Sequence, residues 1–250
     1  MRFHGSPCWY ELTTADAAGS QGFYGPLLGW TFRDAGMPGM DYTLAMAEGA
    51  MVAGMFAPPP GTPEGWLVYF AVDAVDATCA QIADLGGAVL MPPADIPDTG
   101  RFAVAADPQG AVFGLLQPLE GQQGNAFDQT KAGHGNWHEL TVPDPVAALA
   151  FYGAVLGWEQ AEAMDMGAMG TYHIIGWQGQ QIGGIMRPPE PGIPAMWAPY
   201  FGHPSIKAAM EMITASGGRI LMGPMEVPGG AFVCMALDPR GACFALVGGA

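Results

Sequence analysis

Apolar and polar positions alternate through "CWYELTT", placing Tyr10 and Leu12 on one side and Trp9, Glu11 and Thr13 on the other. That period of two, with its aromatic and β-branched content, predicts a strand. Asp16 then stands where a helix N-cap belongs, before a segment ending at "LLGW". Alternation returns in "YTLAM" and "MVAGMF", a hairpin turning on Glu48-Gly49, and again in the strand "WLVYFAV". A second helix, "VDATCAQIADLGG", ends on Gly86-Gly87. Two strands follow, around Val89 and at "AVFGLLQ", with Asp107-Pro108-Gln109-Gly110 as the turn of the last pair.

The same order then recurs. Trp9, Glu11, Thr13, Phe23, Tyr24 and Trp30 match Trp137, Glu139, Thr141, Phe151, Tyr152 and Trp158, each 128 positions on. The offset is 130 at Tyr42/Tyr172 and Gly54/Gly184, and 131 from Trp66/Trp197 through Asp107/Asp238 to Phe113/Phe244. Three added residues account for the drift, so the chain is a duplication over nearly its whole length. In the first helix of the second copy Val146, Leu149, Ala150, Tyr152 and Val155 recur at helical spacing after Asp144 and Pro145. Two modules follow, 4–119 and 133–249. The linker between them, 120–132, is polar and without apolar periodicity. The proline patches "APPPGTPEG" and "RPPEPGIPA" fall at matching points inside the modules and read as loops, either covers over a site or surface excursions.

Composition narrows the function. With 250 residues, 50% hydrophobic and 12% charged, the chain can bury a sizeable core. A net charge of −15, from 23 acidic against 8 basic side chains, leaves no basic footprint for nucleic acid or an anionic membrane surface. No apolar run is long enough to span a bilayer, and the first residues lack the apolar core of a signal peptide, so a cytoplasmic location is expected. The cysteines (Cys8, Cys79, Cys234, Cys243) lack C-x-x-C spacing and read as small buried hydrophobes; a Cys234–Cys243 bridge would require neighbouring strands. No G-x-S-x-G nucleophile motif or phosphate-binding G-x-G-x-x-G loop occurs.

An opening strand, an Asp, a helix ending "FYG-x-x-LGW" and a last hairpin turning on "DPQG" or "DPRG" resemble the vicinal oxygen chelate superfamily. That group includes glyoxalase I, bleomycin-resistance proteins and extradiol dioxygenases. The resemblance covers both modules and implies an α+β fold of tandem βαβββ modules, each sheet curling around a cavity for small ligands. It also implies three metal-ligand positions per module. Here they fall on Trp9, Leu67 and Gly114, and on Trp137, Ala198 and Ala245. None of these side chains offers the donors a metal requires.

If Trp9 and Trp137 face the cavities as the resemblance implies, strand alternation puts Glu11 and Thr13, and Glu139 and Thr141, on the same walls. Tyr69 and Tyr200 join them as candidate lining. An indole, a carboxylate and a hydroxyl on one wall can stack and orient a small polar or aromatic ligand. Glu11 and Glu139 each read three ways: structural acceptor, ligand contact or general base. His138 points away from Glu139 and cannot share a metal with it. His173 and His203 have no counterparts in the first module, and His4 and His134 are expected to be solvated. No cofactor is expected, although a divalent metal on atypical donors (Glu11, Glu139, His173, His203) stays open. The expected function is a small-molecule binder, monomeric or homodimeric. The alternatives are a glyoxalase-type lyase or isomerase and, third, a protein-interaction role.

Overall fold

The computed structural model describes residues 3–37, 39–58, 61–121, 124–190 and 192–250. Pro59, Pro60 and Pro191 of the proline patches, and Gln122 and Gln123 of the expected linker, lie outside the described residues.

Each copy forms one eight-stranded mixed sheet. The first contains β1 (Pro7–Thr13), β2 (Thr31–Asp34), β3 (Tyr42–Ala47), β4 (Ala50–Phe56), β5 (Gly65–Ala71), β6 (Ala88–Ile96), β7 (Gly100–Ala106) and β8 (Val112–Pro118), in spatial order β2-β3-β4-β1-β5-β8-β7-β6. The second contains β9 (Gly135–Thr141), β10 (Glu159–Asp165), β11 (Thr171–Trp177), β12 (Gln180–Met186), β13 (Met196–Ser205), β14 (Arg219–Glu226), β15 (Phe232–Leu237) and β16 (Cys243–Gly249) in the corresponding order. The helices are α1 (Ala17–Leu28), α2 (Val75–Asp84), α3 (Pro145–Leu156) and α4 (Ile206–Ala215). This is the α+β tandem βαβββ architecture that the alternation and the resemblance led one to expect. Among the described residues, no helix is long and apolar enough to cross a membrane.

Local chemistry explains the elements. Asp16 accepts the Gly19 N–H, and Asp144 accepts those of Val146 and Ala147, capping α1 and α3. Gly29 and Gly157 end these helices at φ 68° and 71°, a left-handed conformation that glycine adopts without a Cβ clash, and the Trp of "LGW" then turns into the core. Both central residues of Glu48-Gly49 and of Gln178-Gly179 have positive φ, the type I′ geometry that closes a two-residue hairpin.

Two differences from the expected elements stand out. After α2 there are three strands, not two: the partner of β8 across the Asp107 turn is β7, and the strand around Val89 (β6) pairs with β7. The edge strands β2 and β10 were not predicted. Nearly every residue of "EQAEAMD" in β10 is exposed, so no buried face imposes an alternating pattern on it.

The compact units do not follow the copies. One gathers Val68–Gln123 and His138–Trp197 with the N-terminal residues to Cys8; the other gathers Trp9–Leu67, Gly124–Trp137 and Ala198–Ala250. Each therefore takes part of one sheet and the complementary part of the other. In the second unit Tyr24 donates to Asp238 Oδ2 at 3.0 Å and accepts from Trp66 Nε1 at 2.9 Å. Asp238 Oδ1 accepts the N–H groups of Arg240 and Ala242, and Trp30 Nε1 donates to the Gly133 carbonyl. The first unit repeats this network: Tyr152 donates to Asp107, Trp197 to Tyr152, and Trp158 to the Gly5 carbonyl. The helix motif of each copy thus grips the turn motif of the other. Burial raises the Tyr24 and Tyr152 hydroxyls well above their ordinary range, and the Asp each one faces adds to the effect, so both stay donors.

Candidate ligand site

Strand β1 presents Trp9, Glu11 and Thr13, all half-buried, on the side opposite fully buried Tyr10 and Leu12. Trp9 Nε1 donates to Tyr42 Oη at 3.0 Å, and Tyr42 donates to Glu11 Oε2 at 2.9 Å, a chain of hydrogen bonds from indole through phenol to carboxylate. Tyr42 reaches this place because its side chain lies over Gly54 of β4; a Cβ there would sit 1.8 Å from the Tyr42 hydroxyl. Burial first, then the Glu11 charge, pushes the Tyr42 hydroxyl well above its usual range, which keeps it protonated as the donor. Thr13 Oγ1 donates toward the carbonyls of Pro63 and Gly65 and accepts the Gly65 N–H, so it ties the end of the first proline patch to the strand.

The second copy is built alike, with a longer tyrosine–carboxylate bond. Tyr172 donates to Glu139 at 3.3 Å, over Gly184, whose Cβ would sit 2.2 Å from the ring. Trp137 packs against a buried cluster of Tyr200, Val233 and Ala245 together with Met225 and Met235. Thr141 is half-buried at the end of β9. Tyr69 is buried, its ring lying over Gly114 on β8.

Alternation predicts Trp9, Glu11 and Thr13 together on one face of β1, and there they stand. Tyr42 and Tyr172 were not singled out as site residues. The signal available was the tyrosine–glycine pairing Tyr42/Gly54 and Tyr172/Gly184 carried in both copies. Two hollows stand elsewhere in the second unit: an open groove of about 510 Å³ lined by Met210, Glu211, Thr214, Ala215 and Ile220, and one of about 270 Å³ beside Asp16, Phe23 and Arg240. Neither is lined by any of the eight candidate residues.

The histidines need one correction. His134, expected to be solvated, is fully buried; its Nδ1 donates to the Ala132 carbonyl at 3.1 Å and its Nε2 has no partner. His4 is likewise engaged, by the Val155 carbonyl. His138 lies on the buried face of β9, where Nδ1 donates to the Ile182 carbonyl at 2.7 Å and desolvation lowers its pKa to about 4. His173 donates to Gln160, and His203 Nδ1 accepts the Ser205 N–H. None of the four cysteines is joined in a disulfide. Cys234 pairs with Leu246 and Cys243 with Leu237, three rungs apart on one ladder, which is about 10 Å at strand spacing and too far for a bridge.

The fold family implies a metal, and the six ligand positions do not fit one. Trp9 carries only an N–H donor, already given to Tyr42. A Cβ on Gly114 would lie 2.2 Å from the Tyr69 ring, so no ligating side chain fits there without displacing that ring. Ala198 and Ala245 are buried and apolar. Among the described residues, no three His, Cys, Asp or Glu side chains group as a metal site.

A two-module sheet fold of this kind is matched by the model of the Glyoxalase/Bleomycin resistance protein/Dioxygenase superfamily at residues 8–115 and 134–246, and the chain belongs to that superfamily. It is 36% identical over 249 residues to "Putative glyoxylase CFP32" of Mycobacterium tuberculosis, covering 97% of this chain and 94% of that protein. It is 32% identical over 265 residues to the anthracycline biosynthesis protein DnrV of Streptomyces peucetius, covering 97% and 93%. Among solved structures, 2,2',3-trihydroxybiphenyl 1,2-dioxygenase from Sphingomonas wittichii superposes with a TM-score of 0.67 at 14% identity, covering 97% of this chain and 89% of that one. The Mn(II)-bound glyoxalase from Novosphingobium aromaticivorans gives 0.65 at 16%, covering 97% and 80%. At such identities these structures speak for the fold alone.

Proposed function

We propose that this chain is a metal-independent small-molecule-binding protein of the superfamily, cytoplasmic, monomeric or homodimeric, and built from modules 4–119 and 133–249. The observation that carries this reading is the Trp9–Tyr42–Glu11 chain, which orients a carboxylate and an indole on one face of β1. In such a wall the indole stacks on a flat ligand and the carboxylate accepts from its hydroxyl or amino groups. Trp137, Tyr200, Met225 and Met235 supply a second, apolar wall, with thioethers suited to aromatic rings. In the first unit, taken by itself, Glu139, Thr141 and Tyr69 are the proposed contact residues, as Thr13 is in the second. The relatives named for anthracycline biosynthesis make polycyclic aromatic compounds the first ligands to test.

A second reading is favoured by the relative named as a glyoxylase: a lyase or isomerase in which Glu11 or Glu139 is the general base. Thermal-shift screening of aromatic polyketides and hemithioacetals, with elemental analysis of the purified protein, separates the two. A binder at a hundred times its dissociation constant adds about 2.7 kcal/mol. Stoichiometric metal, or turnover abolished by both Glu11→Gln and Glu139→Gln, would replace the binding reading with the catalytic one.

A further inference from the structure

The proline patch of the first copy ends in a strap, Gly61 to Gly65, whose holding contacts all lie in the second unit. Glu64 Oε2 accepts the Ala15 N–H at 3.1 Å and Arg240 Nε at 3.0 Å, while Oε1 accepts from Arg240 Nη2, a two-pronged ion pair. Thr13 fastens the next residue, Gly65, from the same strand face that carries Trp9 and Glu11. Hydrogen bonds from Arg240 and from the Ala15 N–H, in that order, hold the Glu64 carboxyl below the usual range. The side chains of Arg240 and Glu64 are 43% and 25% exposed, so mobile ions reach the pair.

The other copy lacks this device. Ala195 stands at the Glu64 position and Gln109 at the Arg240 position. Gln109 closes its turn with neutral bonds, donating to the Asp144 carbonyl and accepting the Asp144 N–H, both at 2.8 Å. One proline loop of the two is therefore latched by charge.

We propose that Glu64 and Arg240 form an ionic latch that holds the strap against the Trp9–Glu11–Thr13 face and releases it as ionic strength rises. The latch stands on these contacts alone; that it governs access to a ligand rests on the binding reading above. Its natural modulator is salt. At about 0.1 M the screening length is ~10 Å, and at about 1 M it is ~3 Å, comparable to the pair's own separation.

Hydrogen–deuterium exchange on the full chain tests the latch without any ligand. Arg240→Glu and Glu64→Arg should each speed exchange at the Ala15 and Gly65 amides about fivefold, and the double reversal should restore the wild-type rate. Exchange around the Asp107 turn should not change. Going from about 0.1 to 1 M NaCl should open the wild-type strap and leave Arg240→Gln, already open, unaffected. If a reversal lowers the melting temperature, Arg240→Gln gives the reading instead. Unchanged exchange at Ala15 and Gly65 in that variant, or a double reversal as open as the singles, overturns the latch. Failure of every compound to bind would sink the binding reading and leave this outcome untouched.

Discussion

The turn Asp107–Gly110 and the turn Asp238–Gly241 share one backbone and differ at one side chain, Gln109 against Arg240. Their aspartates do the same work: each accepts two N–H groups of its own turn and a tyrosine hydroxyl from the other copy. Their second side chains do not, since Gln109 fastens a helix cap and Arg240 fastens a loop. The faces of β1 and β9 divide in the same way. Tyr42 bonds Glu11 at 2.9 Å, whereas Tyr172 stands 3.3 Å from Glu139. The swapped network must be satisfied in both copies, because its polar groups are buried. Half-exposed positions carry no such obligation, and there the copies have become different surfaces.

The largest effects should come from the part the copies share. Asp238→Ala removes the acceptor of two backbone N–H groups and of the buried Tyr24 hydroxyl, and Asp107→Ala does the same for the other unit. Each should cost about 3–4 kcal/mol in urea unfolding. If either costs less than about 1 kcal/mol, that turn does not anchor its helix and the symmetry of the two networks fails.

Next in size is a difference confined to one position. Tyr10 and His138 occupy the same buried place in the two copies, each edge-on to a phenylalanine, Phe201 and Phe70. His138 has its pKa lowered by desolvation to about 4 when folded, against 6.5 unfolded. Between those values the unfolded chain binds a proton that the folded chain does not. Stability is therefore whole above about pH 6.5 and falls as pH drops towards 4, by about 3 kcal/mol in total. His138→Tyr, importing the residue of the first copy, should flatten that part of the pH profile. A variant whose stability falls between pH 6.5 and 4 as steeply as the wild type would place the acid sensitivity elsewhere.

Periodicity carried most of the fold, and it failed for a physical reason where it failed. Strand β1 alternates because Tyr10 and Leu12 are wholly buried and Trp9 and Glu11 are not. Strand β10 is exposed along nearly its whole length, so nothing forces its pattern. His134 reads as solvated because it lies outside the predicted elements; its burial comes from long-range packing, with the Gly133 N–H donating to the Gly202 carbonyl and the His134 carbonyl accepting the Gly202 N–H. For the candidate site, alternation alone grouped Trp9, Glu11 and Thr13. It could not reveal Tyr42, which arrives from β3 through the β3–β4 register that sets Tyr42 beside Phe56 and Leu44 beside Gly54. The swapped pairing of Tyr24 with Asp238 was also out of reach, since the spacing of a repeat does not say which copy's turn a helix meets.

The smallest effect asked for is also the one closest to function. Tyr42→Phe removes the link between Trp9 and Glu11, leaving an indole N–H and a carboxylate each without this partner. A hydrogen bond to a charged group contributes about 2 kcal/mol, so a loss near that size is expected. Tyr172→Phe removes a bond of 3.3 Å, longer than a normal O–H···O contact, and should cost less than about 1 kcal/mol. The same pair of variants reports on ligand binding. For a compound that stabilises the protein and is anchored on Glu11, Tyr42→Phe should weaken affinity about tenfold, or 1.4 kcal/mol. Tyr172→Phe should leave that affinity nearly unchanged. Equal losses from both substitutions would mean that the two faces hold ligand alike, and that the polar chain of the first copy has no special part in recognition.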